Sequence, residues 1–530
     1  MRKSPGVASS RRIATLVPHH DAVLDQAREA WTAGEYERTI ALLAGARFDR
    51  RESRVAAALL QSRALLAVGR PADVVALVEG VRKDAKSTDD AVVAAMLLGA
   101  ALARTSRRDE GETLLDTTAD LAKRTAPHLL AEVAYYRALS RWSSHRLTEA
   151  EAIIDTALPA ATGIVRSRLL QLLGWIGVRR ENYAAAAHDF SAALDELKNA
   201  DVPDVKGRAT TLHALGIIAS ETIDLRLGRM VRREYESNQW SEDTRIERFQ
   251  VLEQLAWLSL LEGNLASAWD ERQLALTLTV DTSYHAIALI HAAEIAEIVG
   301  DRFAQSRYLD LSGVLLLRGD QVGLDVERRI ALLSFVAVAS DTEPDAAKQV
   351  LALYDRSRPR RTEMLALEGD RRFEAYEQYA RGKFAISQGE TQRGIVELDR
   401  SLDLWTRLNY RLRAAVTANE LRAVTGDRKY AQIALDALRN TPDAWLRSAI
   451  ERRANGDDPL SQLTPAEKRV LAELCKGKKS REIADHFGRS FNTINNHTRG
   501  IFSAFGVRSR AALVAECARL GILDDIKSLR

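Results

Sequence analysis

One short phrase recurs along most of this chain, and it limits the possible folds more than any other feature. It reads AGEYERTIALL at 33–43, VGRPADVVALV at 68–78, RENYAAAAHDF at 180–190 and EGNLASAWDER at 262–272. Further copies are VGDRFAQSRYL at 299–309, QGETQRGIVEL at 388–398 and TGDRKYAQIAL at 425–435, with weaker ones near Arg107 and His145. Each joins a small or polar turn residue to a helix start and an apolar face. Aligned on that residue, the copies fall at Gly34, Gly69, Arg107, His145, Glu181, Gly263, Gly300, Gly389 and Gly426. Most steps are 35–38 residues, and the two long ones, 82 and 89, each leave room for a degenerate copy. SETIDLRLGRM near 220–230 and EPDAAKQVLAL at 343–353 fit those gaps. Between about 20 and 440 the apolar residues keep helical spacing, with no strand-like alternation. The 11 prolines and 29 glycines among 530 residues interrupt few helices. The expectation is roughly eleven stacked helix–turn–helix units, a solenoid.

The pattern resembles tetratricopeptide repeats (TPR) in a loosened form. A first helix ends at a glycine-type turn, as in AWTAGEY at 30–36, and a second follows at once. The steps exceed that family's usual period of about 34. Such a body offers surfaces rather than chemistry, and its concave face can take peptides or small ligands. Trp31, Trp142, Trp175, Trp240, Trp257, Trp269 and Trp405 are expected to pack the core rather than stack a ligand. His285 and His291 are six apart, which does not bring them together on one helix face as metal ligands.

Composition excludes several classes. The chain is 46% hydrophobic and 28% charged, which suits a folded, water-exposed protein. Two cysteines, Cys475 and Cys517, make no disulfide framework, and a reducing cytoplasm is expected. The basic start, MRKSPGVASSRRIATLVPHH, lacks a signal-peptide core, and no apolar run is long enough for a membrane span. GKKS at 477–480 resembles the end of a phosphate-binding loop, but Ala472 stands where that motif needs glycine. GxSxG, HExxH and CxxC are absent. No enzyme activity and no cofactor are expected.

The net charge of +3 hides an asymmetry. Residues 461–530 hold 13 Lys and Arg against 7 Asp and Glu, and the rest holds 63 against 66. A basic end on a mildly acidic body points to a polyanionic partner. The turn-rich NGDDPLSQ at 455–462 breaks the repeat pattern. Four helices follow. Thr464-Pro465-Ala466-Glu467 forms a capping box with proline at the first position, and Gly477 ends the first helix. Ser480, Ser490 and Ser509 are expected to cap the second, third and fourth, and Gly488 closes the second with a tight turn. In the third, Ile494, Ile501 and Phe505 make the apolar stripe, with Phe502 at its edge. Asn492, Asn495, Asn496, Arg499 and Ser503 form the opposite, carboxylate-free stripe. A short Gly turn leading into a capped helix with a polar outer stripe is the helix-turn-helix arrangement, whose second helix enters the major groove of double-stranded DNA. Asparagine can pair bidentately with adenine. KGKKSR at 476–481, which includes Lys479, and VRSR at 507–510 supply cations for phosphates. The apolar positions of the fourth helix, Leu513, Cys517 and Leu520, exceed what a four-helix module needs and suggest a dimer contact.

This segment resembles the LuxR-type helix-turn-helix domain of bacterial transcription regulators. The resemblance rests on LT at 463–464, Glu467, VL at 470–471, Gly477, EIA at 482–484, Ser490, Thr493-Ile494, His497, Ile501 and GVRSRAALV at 506–514. It implies that Asn495, Asn496 and Arg499 face the groove. It implies phosphate contacts at Arg481, Ser490, Thr493, Arg508 and Ser509, a structural role for His497, and a homodimer on DNA through the fourth helix. Asn495 stands where lysine is usual, Thr498 replaces an apolar residue, Arg489 an aliphatic one and Arg469 an acidic one. A single cation on the third helix puts affinity in question more than fold. The layout is similar to the rear of large ATP-dependent LuxR-type regulators, without their ATPase. The expected protein is all-α: a basic tail at 1–20, a TPR-like helical solenoid at 21–440, a linker at 441–460 and a four-helix LuxR-type domain at 461–530. Its expected partners are DNA, an unknown ligand or protein on the repeats, and RNA polymerase. The alternative is an interaction scaffold whose C-terminal domain dimerises or docks.

Overall fold

The computed structural model describes residues 20–200, 204–238, 240, 242–280, 284–299, 301–318, 326–357, 371–447, 450, 459, 460, 463–505, 507, 509–519, 522 and 526. Among them there are helices and no strand. Eleven antiparallel helix pairs run from His20–Thr32 with Tyr36–Ala44 to Arg411–Thr425 with Arg428–Ala437. The expected tail lies outside the described residues, as do the repeat turn at Gly300 and most of 448–458.

The repeated turn has a common backbone cause. Gly34, Gly69, Gly263, Gly389 and Gly426 all adopt left-handed φ, between +69° and +81°. After the first four, the next residue's N–H reaches back five residues: Glu35 to the Ala30 carbonyl at 2.9 Å, Asn264 to Ser259 at 2.8 Å, Glu390 to Ala385 at 2.9 Å; after Gly426 the Asp427 N–H donates to the Thr425 hydroxyl at 3.1 Å instead. This satisfies carbonyls that the ending helix leaves bare. His145, Glu181 and Ile223 take the same conformation without being glycine, at φ +58°, +62° and +57°. Ile223 marks the degenerate copy near 220–230; Glu343 and Pro344 open the other. Arg107 departs from the pattern, with φ −95°. There the Thr105 hydroxyl accepts from the Arg107 N–H at 3.2 Å and donates to the Leu102 carbonyl at 2.8 Å.

Within two pairs, a glycine on each helix allows close approach. Gly99 with Gly111, and Gly382 with Gly394, stand 12 residues apart across the turn. A Cβ on Gly111 would overlap the Ala103 amide, and one on Gly394 would overlap Ile386 and the Gly382 carbonyl.

Contacts divide the chain into two units, residues 1–169 with 196–204 and residues 170–195 with 205–530. In the first, Val74, Val78, Val92, Met96, Leu97 and Val133 form a core. Glu112, nearly buried, is held by Arg141, Arg146 and the Ser140 hydroxyl.

In the second unit, the first helices of six successive pairs surround one interior: Val205–Thr222, Arg245–Leu261, His285–Val299, Val326–Ala339, Arg371–Ser387 and Arg411–Thr425. The last of these returns to the first. Arg411 donates to the Thr222 carbonyl at 3.4 Å, and Arg413 pairs with Glu221 at 3.2 Å, across 189 and 192 residues of sequence. The rings of Tyr183 and Tyr410 meet edge-on at 5.4 Å. The six helices therefore close into a ring. Most tryptophans pack as expected, Trp175 on Phe190 and Trp405 on Tyr376 and Tyr410. Trp257 differs, because it also lines the interior cavities. His291 is held by Glu253, and His285 by the Thr279 hydroxyl at 3.1 Å. In the stretch expected to be a linker, Trp445, Leu446 and Ile450 join the ring's core, and Leu460 joins the core of the C-terminal domain.

Candidate nucleic-acid interface

The C-terminal domain is four helices, Pro465–Cys475, Ser480–Phe487, Phe491–Ala504 and Arg510–Arg519, around one core. Val470, Leu471, Leu474, Ile483, Ile494, Ile501, Leu513 and Cys517 are each at most 2% exposed. The first helix starts with the expected capping box. The Glu467 amide donates to the Thr464 hydroxyl at 3.3 Å, and the Glu467 carboxylate accepts the Thr464 N–H at 2.9 Å. Those bonds from Thr464 hold the Glu467 carboxyl below its ordinary pKa. Gly477 and Gly488 are left-handed, at φ +90° and +59°, and close the first two helices. The second helix corrects the sequence reading. Ser480 is its first residue rather than its cap; Lys479 holds the cap position, and its N–H donates to Glu482 at 2.7 Å. Ser490 caps the third helix, accepting from the Thr493 N–H at 3.1 Å, and Ser509 caps the fourth, accepting from Ala512 at 3.1 Å.

The third helix presents its polar stripe outward. Asn492, Asn496 and Arg499 are exposed and Asn495 is half-buried. Their side chains make no hydrogen bond or ion pair with any described residue. The Ser503 side chain lies outside the described residues. His497 is half-buried beside Glu467. The basic loop divides into two kinds of cation. Lys476 and Lys478 bind Glu473, at 2.8 and 2.6 Å. Burial pushes the Glu473 carboxyl up, but the two lysines outweigh it and hold the pKa below its ordinary value. Lys479 and Arg481 are exposed and make no ion pair among the described residues. Arg481 lies over the Phe491 ring, 5.8 Å from its centroid.

This geometry agrees with what sequence comparison finds. Residues 461–516 match the model of the family described as GerE, bacterial regulatory proteins, luxR family. The C-terminal segment is a luxR-family helix-turn-helix domain. Over 58 residues, 11% of this chain, it is 40% identical to the probable transcriptional regulatory protein SgaR of Hyphomicrobium methylovorum. The match spans 28% of that protein, less than a third of its length. A crystal structure of Rap protein complexed with competence and sporulation factor is similar over 76% of this chain and 100% of that one, with TM-score 0.44 and 12% identity.

Gly500 of the luxR-type domain has a packing role. A Cβ there would overlap Oε1 of Glu467, the carboxylate that completes the first helix's capping box. Two candidates were missed in the sequence. Arg489 is exposed beside the Ser490 cap, and Phe491, 44% exposed, opens the third helix. Their adjacency to a helix start was the available signal. Leu513 and Cys517, expected to form an outer apolar strip, instead face the domain's interior at 0% exposure. Cys517 contacts Cys475 there. The outward face of that helix carries Ala511, Ala512 and Ala515. Arg508 and Leu520 lie outside the described residues. No helix among the described residues is long and apolar enough to cross a membrane.

Proposed function

We propose that this protein is a transcription regulator that binds specific double-stranded DNA through its luxR-type domain, under control of a signal sensed by the repeat body. The outward stripe of Asn492, Asn495, Asn496 and Arg499 carries the reading. These are hydrogen-bonding side chains without partners among the described residues, on a capped helix of the shape that fits a major groove. Asn495, Asn496 and Arg499 read base edges. Lys479, Arg481, Arg489 and the hydroxyls of Ser490, Thr493 and Ser509 hold phosphates. The Ser490 and Thr493 hydroxyls share one hydrogen bond at 2.8 Å, which leaves one of their two protons for a phosphate oxygen, while the Ser509 hydroxyl accepts from the helix and offers its own. Two copies bind a two-fold site, the fourth helices meeting through Ala511, Ala512 and Ala515 rather than through Leu513 and Cys517. The role places the protein in the cytoplasm, on the nucleoid.

The test is selection of genomic fragments by the purified full chain. A defined two-fold motif is expected. Enrichment no better than that of scrambled duplexes would refute the reading and favour an interaction scaffold.

A further inference from the structure

The ring of six inner helices encloses three cavities of about 230, 140 and 40 Å³, and Trp257 and Glu294 line all three. These two residues are walls common to all three, which together make up the ring's interior channel. Its lining is chemically uneven. In the largest cavity Arg372 and Arg413 face Glu221, Glu253 and Glu294. In the next, Lys383 stands alone against Glu294, Glu297, Asp341 and Glu420. Lys383 is already committed to Asp341 and Glu420, at 2.9 and 3.0 Å.

Two carboxylates have spare acceptor capacity. Glu221 is 7% exposed; its Oε1 pairs with Arg413, and its buried Oε2 has no hydrogen-bond partner among the described residues. A buried acceptor without a donor is costly unless something supplies one. Glu294, half-buried, makes no hydrogen bond or ion pair with any described residue. Around it stand Trp257, Tyr376 and Tyr379. Aromatic faces beside an open carboxylate form a site for an organic cation. Arg413 already lies over Trp257 and Tyr376, at 5.0 and 5.5 Å, so Tyr379 is the ring beside Glu294 with no cation over it among the described residues.

We infer that the channel binds a slender, donor-rich organic cation, whose ammonium or guanidinium group pairs with Glu294 and whose further N–H donors reach Glu221. This rests on the proposed sensing role of the body and names the chemistry of its signal. A polyamine and a short peptide rich in Lys or Arg share that chemistry. The channel also touches the luxR-type domain: Ala518, on its fourth helix, lines the acidic cavity, and that helix packs against the His285–Val299 helix bearing Glu294. An occupant therefore presses on the surface where the DNA-binding domain rests.

Calorimetric titration of the full chain with spermidine, trilysine, triarginine and triglutamate tests this. Saturable binding by a cationic probe and none by triglutamate is expected, and the probe that binds identifies a polyamine or a peptide as the source. Glu294→Gln keeps the shape and removes no hydrogen bond or ion pair to a described residue, so its fold is not at risk. It should weaken binding by about tenfold or more, and Glu221→Gln should act in the same direction. No saturable binding of any cationic probe, or equal binding by wild type and Glu294→Gln, would overturn the proposal. DNA binding measured on the same samples separates the two readings, since loss of the ligand site leaves recognition of the operator standing.

Discussion

Gly500 illustrates how one position balances opposed terms. An alanine there gains about 1 kcal/mol of helix propensity. It also displaces Glu467 from a capping box worth about 1 kcal/mol. Gly500→Ala alone should therefore change stability by less than about 1 kcal/mol, whereas in a Glu467→Ala background it should stabilise by about 1 kcal/mol. Thermal melts of the four proteins measure the coupling, and additive effects would contradict the contact. A glycine inside a helix is out of place by propensity alone, and that much the sequence could show. It could not name the cause, because Glu467 is 33 residues away in the chain. His213 gives a pH prediction. Burial lowers its pKa to about 4, against the pull of Glu253. A histidine in the unfolded chain binds its proton near pH 6.5. As pH falls, the unfolded state is protonated first, so stability present at pH 7 is lost between about 6.5 and 4, by at most about 3 kcal/mol. Glu221 opposes this, since burial raises its pKa and protonation favours the fold. His213→Gln should flatten the acid limb of a melting-temperature profile, and an unchanged limb would contradict a neutral imidazole held in the ring's interior.

At the scale of elements, the repeats were legible because their turn needs a left-handed residue and glycine supplies it most readily. His145, Glu181 and Ile223 carry the same geometry with no glycine to announce it, so position in the period was their only signal. The glycine pairs were not recognised as a pattern, because their meaning lies in two helix backbones touching. Gly394→Ala should cost about 1–3 kcal/mol by overpacking against Gly382 and Ile386. A melt no lower than that of an alanine placed at an exposed helix position would refute that contact. In the luxR-type domain the caps were readable residue by residue, except at Ser480, which lies inside the helix, where Glu482 accepts the N–H of the cap residue Lys479. The inward turn of Leu513 and Cys517 was not readable. An apolar stripe looks the same whether it meets its own domain or a second copy.

At the scale of the whole molecule, ring closure was invisible in the sequence. It depends on partners some 190 residues apart, Arg411 with Thr222 and Arg413 with Glu221. Arg411→Ala should raise amide exchange in both the Val205–Thr222 and Arg411–Thr425 helices while leaving Arg51–Ala67 unchanged. Faster exchange confined to the mutated helix would mean that the closing contact carries little energy. The central claim, that the third helix of the luxR-type domain reads DNA sequence, is tested most directly by binding of the full chain to selected and scrambled duplexes at several salt concentrations. Asn496→Ala should cost about 1–3 kcal/mol on the selected site, relax preference at one base pair and leave the salt slope unchanged. Lys479→Ala should weaken both duplexes alike and reduce the slope by about one. If Asn495→Ala and Asn496→Ala both leave the preference for the selected duplex intact, the account of the third helix is wrong.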